Sequence, residues 1–344
     1  MHIKLSICIA TLNRGAFIGE TLDSLLDQIT GAVEIVVVDG ASSDNTPEVM
    51  AEYVARYPQV KYFREQKNSG VDADFDKAVG YATGRYCWLM TDDDLLRPDA
   101  ITTVLAATGA DDDLIIVNST IRNLDLSVEF ESQRLPHNTN KAFKNIDRES
   151  LFLETAAYLS FIGCVVIRRE FWLSRKRVDY YGSLFIHVGV IFQSPPVSNV
   201  RIIAEPLIVI RYGNAMWTPR SFEIWMFLWP KLVWSFPDFS DRAKRMICRR
   251  EPWKSIKALF HNRALGAYTV AEYRRHWTKE VKNFKRFSAY TLTLLPESVA
   301  NFVMVFYFSI SKNPSQMALH DLLHCRSASL ASHVLARAFG LVRR

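Results

Sequence analysis

Four times within the first 110 residues, a short apolar run gives way to a segment with helical spacing. The runs are Lys4–Ala10, Val33–Val38, Val60–Arg64 and Tyr86–Met90, and a fifth follows at Leu114–Val117. The helical segments are Ala16–Gln28, Pro47–Tyr57, Asp72–Ala82 and Pro98–Ala107. Pro47 suits a first helical turn and Gly84 a stop. Val33–Val38 is nearly unbroken in its apolarity, as a strand covered on both faces must be. Alternation of this kind predicts an α/β fold with a doubly wound, mostly parallel, Rossmann-like sheet. Such sheets bind ligands beyond the carboxyl ends of their strands. Three polar clusters fall there: Thr11-Leu12-Asn13-Arg14, Asp39 to Thr46, and Asp92-Asp93-Asp94. The first half therefore reads as a nucleotide-type binding domain.

The acidic triplet carries the strongest chemical signal. Three adjacent carboxylates at a strand end repel one another and resist desolvation. A hard divalent cation, Mn²⁺ or Mg²⁺, would relieve them, taking one or two carboxylates together with substrate phosphates. The competing reading is a solvated, helix-capping acidic run before Pro98. No GxGxxG follows the first strand and no GxxxxGK[ST] occurs, so side chains and a metal, rather than a glycine cradle, would hold a nucleotide.

Charge is divided unevenly. The chain has a net charge of +6, yet residues 1–218 carry 21 Lys and Arg against 28 Asp and Glu. Residues 219–344 carry 21 against 8, a net +13. An excess of this sign attracts phosphates, in lipid headgroups or nucleic acid, unless it is only a solvated surface. The domains expected are thus 1–218, catalytic, and 219–344, helical and basic. Five scattered cysteines without a CxxC suggest neither a disulfide framework nor a zinc site, in keeping with a reducing cytoplasm. The apolar stretch near the N-terminus, about seven residues, is shorter than a signal peptide needs. A mean hydropathy of -0.00 excludes a polytopic membrane protein.

Residues from about 4 to 120 resemble family 2 glycosyltransferases of the GT-A fold. The resemblance rests on Thr11-Leu12-Asn13-Arg14, Val36 through Thr46, Asn68-Ser69-Gly70, Ala82-Thr83-Gly84-Arg85-Tyr86, and Thr91-Asp92-Asp93-Asp94 with Pro98. It implies a nucleotide-diphosphate-sugar donor, a divalent metal (Mn or Mg) and transfer with inversion. Thr11, Asn13 and Arg14 would line the nucleotide pocket, Asp39 would bond base or ribose, and Ser42, Asn68, Gly70 and Asp72 would complete the donor site. Asp92 and Asp93 would contact ribose and metal, with Asp94 sharing the metal. The family pattern has Asp where Thr91 stands, which leaves the register of the metal ligand open by one residue. Chemistry agrees, since expelling a diphosphate needs charge stabilisation and the attacking hydroxyl needs a base.

Ser160–Arg169 resembles the family's acceptor-side segment, but the Glu-Asp pair that should follow is missing. Tyr181–Gly189 stands in its place and resembles the abequosyltransferase-like branch, which transfers deoxysugars in O-antigen assembly. His187 is the substitute base, titrating near neutral pH, unless it is a packed core histidine. Asp179 is the reserve. Arg211–Trp217 would close over the donor with Arg211 facing the diphosphate, or form a surface loop. QxxRW of processive synthases is absent.

Beyond Phe222, Trp225, Trp229, Trp234 and Trp253 are interleaved with Lys and Arg, and Phe302–Phe308 is an apolar run shorter than the ~20 residues of a spanning helix. Basic residues with Trp suit the headgroup layer. The partners expected are a nucleotide-diphosphate sugar, a glycan or lipid-linked glycan acceptor and an anionic membrane surface on the cytoplasmic side. Nucleic acid is not expected, and self-association is left open. A non-catalytic nucleotide-sugar or glycan-binding protein on a degenerate GT-A fold is the alternative, kept alive by the missing Glu-Asp pair.

Overall fold

A computed structural model describes residues 2–144, 148–216, 218–276, 284–311 and 315–341. The chain divides into two compact units. One comprises Met1–Asn214 with Leu232–Ile247, the other Ala215–Lys231 with Cys248–Arg344. The sequence boundary at 218 lies close to this division, but Leu232–Ile247 belongs to the first unit rather than to the basic C-terminal region. Packing explains it: the Phe239 ring stacks on Phe152 at 4.2 Å between centroids and meets Phe192 edge-on at 5.6 Å.

The first unit is built on a mixed sheet. Its strands are β1 (Leu5–Thr11), β2 (Val33–Asp39), β3 (Val60–Arg64), β4 (Tyr86–Met90) and β5 (Leu95–Leu96). They continue with β6 (Leu114–Arg122), β7 (Glu129–Glu131), β8 (Lys141–Phe143), β9 (Val165–Arg168) and β10 (Val200–Arg211). The order is β3-β2-β1-β4-β9-β6-β10-β5, with β7 on β6 and β8 on β10. Strands β3, β2, β1 and β4 run parallel, as do β6 and β10, while β9 enters antiparallel between β4 and β6. Helices α1 (Ile18–Leu26), α2 (Thr46–Arg56), α3 (Val71–Tyr81) and α4 (Ala100–Ala107) follow the first strands, as their apolar spacing predicts. Every residue of β1 and β2 is buried, which accounts for their unbroken apolarity.

Register places the site. Thr11 pairs with Asp39, and Asp39 with Arg64, so the ends of β1, β2 and β3 lie level. Ile9 pairs with Met90, which carries the loop after β4 to the same edge. The reversal of strand order around β1 opens the crevice that such sheets use for ligands.

Gly84 fastens the opposite end of β4 to β1. A Cβ there would lie 2.8 Å from the Ser6 backbone nitrogen and 2.9 Å from the Leu5 carbonyl carbon. Its N–H donates to the Ser6 hydroxyl, which donates in turn to Glu34. Glu34 also accepts from the Thr83 N–H and hydroxyl and pairs with Lys61, and these bonds together hold its carboxyl below the ordinary range against the opposing effect of burial. Gly84→Ala is expected to lower stability by about 1–3 kcal/mol, because the crowding atoms are backbone. An unchanged denaturant midpoint would contradict it.

The second unit has two small cores. Phe222, Met226, Leu259, Tyr268 and Ala289 form one, with Trp225, Phe227 and Trp253 packed on it. The other joins helices α9 (Ile256–Ala264), α12 (Glu297–Ser309), α13 (Gln316–His324) and α14 (Leu330–Ala338). Asn301, which interrupts the apolar run in the sequence, is fully buried there. It donates to the Leu322 and Ala264 carbonyls and accepts from the Ser332 hydroxyl at 2.6 Å. The tryptophans expected to seek headgroups are thus in part packed inside: Trp253 stacks on Phe227, and Trp229 is buried beside Trp225.

Candidate active site

The loops after β1 and β2 are knitted together by their own polar groups. The Asn13 N–H donates to the Ser42 hydroxyl at 2.8 Å, and the Asn13 side-chain carbonyl accepts from the Ser43 N–H at 2.7 Å. The Arg14 N–H donates to the Thr46 hydroxyl. Asp39 is fully buried and accepts from the Ser42 N–H at 2.7 Å and the Tyr62 hydroxyl at 2.5 Å. Its carboxylate shapes the loop, and with burial it holds the Tyr62 phenol far above its usual range. Asn13 and Ala41 have φ of 53° and 69°, left-handed values that non-glycine residues adopt only where surroundings impose them. Thr11 and Ser42 are buried and Asn13 is exposed, so the loops present Asn13 to solvent over a buried polar base.

The acidic triplet divides into an outer pair and an inner member. Arg14 reaches both outer carboxylates, Nε to Asp92 at 3.4 Å and Nη2 to Asp93 at 3.3 Å. The nearest cation in the local sequence is Arg97, and the structure supplies Arg14 from the neighbouring loop after β1. Even so, burial holds both carboxyls above their usual range, with the Asp93 charge adding to the effect at Asp92 and Arg14 opposing it. Asp94 turns inward. It accepts the Arg211 N–H at 2.8 Å and the Thr91 hydroxyl, and burial pushes its carboxyl well up. Asp94 is therefore a structural carboxylate, while Asp92 and Asp93 share the Arg14 guanidinium.

Arg211 is not presented on a loop. It ends β10 and is buried, donating from Nε to the Asp93 carbonyl at 3.0 Å, from Nη1 to the Leu124 carbonyl at 2.8 Å, and pairing through Nη2 with Glu20. Its guanidinium braces the triplet instead of facing a diphosphate. Trp217, at the end of the expected closing segment, lies outside the described residues.

Asn68 and Gly70 shape an exposed turn, the Gly70 N–H donating to the Asn68 side chain at a Gly70 φ of 89°. Asp72 departs from the expected donor role. Its buried carboxylate accepts the Leu184 and Ile186 N–H groups at 2.8 and 3.0 Å. One turn on, Asp76 accepts from Trp172 Nε1, Arg177 Nε and the Tyr181 hydroxyl. Two carboxylates on one face of α3 thereby hold the segment 177–186, which stands where the Glu-Asp pair was expected.

His187 sits in α7 (Ile186–Phe192; α5, Arg148–Thr155, and α6, Arg169–Leu173, precede it) and is 1% exposed. Its Nε2–H donates to the Leu159 carbonyl at 2.6 Å, which leaves Nδ1 as the lone-pair nitrogen, buried without a hydrogen-bond partner. Burial lowers the imidazole to about 4. It is a packed core histidine, out of an acceptor's reach, and the base role expected of it does not suit this position. A neutral buried histidine adds stability above its ordinary pKa of 6.5, and that stability is lost as pH falls toward 4, up to about 3 kcal/mol. His187→Leu is expected to flatten this part of the stability–pH profile between pH 6.5 and 4. Parallel denaturant titrations of both proteins check it. Asp179 is exposed on the turn Val178–Tyr180.

Tyr62, Arg64 and Glu20 escape the sequence reading. Arg64, which donates to the Ser42 carbonyl, was open to the rule that found the others, since it too ends a strand at this edge. Glu20 reaches the site only through Arg211, distant in sequence, while Asn214, within the expected closing segment, accepts from Arg14 through its carbonyl.

Could these residues hold a divalent metal? Among the described residues no three His, Cys, Asp or Glu side chains converge on one point. Asp92 and Asp93 nevertheless suit a cation shared with phosphate oxygens, because they are adjacent and burial holds both above the usual carboxylate range, which a cation would relieve.

A sheet of this order, with its polar loops gathered beside β1, defines a GT-A-type glycosyltransferase fold. Residues 6–172 match the model "Glycosyl transferase family 2", so this part of the chain carries a domain of that family. It is similar to abequosyltransferase RfbV of Salmonella typhimurium, 25% identical over 296 residues, covering 79% of this chain and 86% of that protein. It is 32% identical over 121 residues to chondroitin synthase of Escherichia coli, 35% of this chain and 18% of that longer protein. Among solved structures, S. aureus TarS in complex with UDP superposes with a TM-score of 0.54 at 14% identity, covering 98% of this chain and 88% of that one. TarS in complex with UDP-GlcNAc gives 0.54 at 16%, covering 85% and 91%.

Proposed function

We propose that the chain transfers a deoxysugar, with inversion, from a nucleotide-diphosphate sugar to a hydroxyl of a glycan acceptor, lipid-linked and met at the cytoplasmic face of a membrane. One observation carries this reading: register and the Arg14 bridge bring the β1 loop, the Asp39 loop and the Asp92-Asp93 pair to one edge of the sheet. The bound UDP and UDP-GlcNAc of TarS support the donor class, and the likeness to abequosyltransferase supports the sugar class.

In this reading Asn13 and Ser42 present the nucleotide end of the pocket, on a loop that Asp39 holds in shape. Asp92 and Asp93 would hold Mn²⁺ or Mg²⁺ jointly with the donor's phosphates, and such an ion would supply stabilisation of the negative charge on the departing diphosphate. Arg14, half-buried between the same carboxylates, adds fixed positive charge at that place. Asp72 and Asp76 are positioning residues that fix the acceptor segment. With His187 in the core, Asp179 is the carboxylate of that segment exposed to take the acceptor proton.

The test is incubation of the purified protein with a panel of nucleotide sugars and Mn²⁺, following release of free nucleoside diphosphate. Slow hydrolysis of one donor, abolished by EDTA, is the expected result. Donor binding without turnover under every condition would favour the non-catalytic alternative. Asp179→Asn is expected to lower turnover roughly 10²–10⁴-fold with donor affinity kept. Near-normal turnover would give the base role to another group.

A further inference from the structure

Helix α12 has two apolar faces. Ala300, Met304 and Val305 point into the core of the second unit. Val299, Phe302, Val303, Phe306 and Tyr307 recur at helical spacing on the opposite side, each between 39% and 47% exposed. The preceding helix, α11 (Phe284–Leu294, after α10, Val270–His276, with α8, Asp241–Ile247, in the first unit), repeats the pattern with Phe287, Tyr290 and Leu294 exposed. A soluble surface helix turns its polar face outward. An outward stripe of aromatic and β-branched residues instead marks an interaction surface.

Charge identifies what covers it. Residues 274–286, leading directly into this pair, contain six Lys and Arg (Arg274, Arg275, Lys279, Lys282, Lys285, Arg286) against one acidic residue, Glu280. The Lys257 ammonium lies 5.5 Å from the Tyr307 ring centroid, a cation beside the stripe itself. Among the described residues no single helix is long and apolar enough to cross a membrane, and the two helices meet at a 99° bend. A short bent pair with an outward apolar stripe, a basic approach and tyrosines at its margin matches a helix lying in the headgroup layer.

We propose that the outward face of α11 and α12 inserts into the interface of an anionic bilayer, with Lys257 beside the stripe and the net positive charge of this region drawing it to the lipid headgroups. This deepens the membrane placement proposed above by naming the inserting surface. It moves that role from the tryptophans, several of which are packed inside, to Phe302, Phe306 and their neighbours.

The experiment is sedimentation of the full chain with phosphatidylcholine vesicles, with and without phosphatidylglycerol, at low and high salt. Wild-type protein is expected to bind anionic vesicles, and Phe306→Asp to weaken partitioning roughly tenfold or more. Phe302→Ser is a second, milder variant. Unfolding curves and donor binding are expected to be unchanged in both, since neither side chain belongs to a core or to the catalytic domain. If the variants bind as wild type, insertion is wrong while attachment through the basic segment stands. If wild type stays in the supernatant with anionic vesicles, attachment and insertion both fall, and donor chemistry is untouched. Sedimentation equilibrium showing a dimer that Phe306→Asp dissolves would overturn the proposal in favour of a second copy of the chain.

Discussion

Asp93→Asn is expected to lower cation-dependent kcat/KM by roughly 10²–10³-fold, the several kcal/mol that a metal contributes to a departing diphosphate. Asparagine preserves shape and the backbone carbonyl that accepts from Arg211, so the brace on the loop survives. What disappears is one of the two buried carboxylates that share the Arg14 guanidinium. Arg14 would then balance Asp92 alone, and a divalent ion would lose half its protein ligands. Stability should hold or rise slightly, because two adjacent carboxylates no longer compete for one guanidinium. Initial rates across a Mn²⁺ titration, with thermal unfolding in parallel, separate the effects. Full donor affinity in EDTA-treated wild type would refute the role of the ion.

Arg211→Ala should be the most destabilising single change at the site, by about 3–5 kcal/mol. The arginine is buried and satisfies two carbonyl oxygens and the Glu20 carboxylate. Truncation leaves the Asp93 and Leu124 carbonyls without these donors and opens a space beside the Phe17 ring, which the guanidinium overlies at 5.6 Å. Lysine is not a remedy, since a single ammonium cannot reproduce three diverging contacts. Denaturant unfolding measures the loss. A variant within 1 kcal/mol of wild type (about a fivefold change in the folding constant) would mean that the guanidinium bonds contribute little net stability. An Arg211 that contacted phosphate would instead change donor KM and leave the unfolding curve where it was.

The sheet was legible because its signals are local. Apolar runs, Pro47 and the polar clusters all act within a few residues, and strand order follows from chain order as far as β4. Legibility falls where the cause is a distant partner. The triplet reads as three carboxylates short of a cation until Arg14, nearly 80 positions earlier, is placed against it. Arg211 reads as a loop arginine until β10 carries it to the Asp93 carbonyl. An imidazole near the acceptor segment reads equally as base or core, and only tertiary burial decides for His187. The run Phe302–Phe308 shows apolarity but cannot show that α12 buries one side and exposes the other. Leu232–Ile247 carries basic residues like its surroundings, and its aromatic rings return it to the first unit.

Asp72 grips the 182–186 segment through the main-chain N–H groups of Leu184 and Ile186, which every residue but proline possesses. The anchor is indifferent to which side chains ride on it. Ser183, Leu184 and Phe185 nevertheless set the course of the path: the Ser183 hydroxyl accepts the Phe185 N–H, Leu184 is left-handed at φ 66° and Phe185 is buried. Substituting Asp72 is expected to loosen the segment whatever side chains it carries.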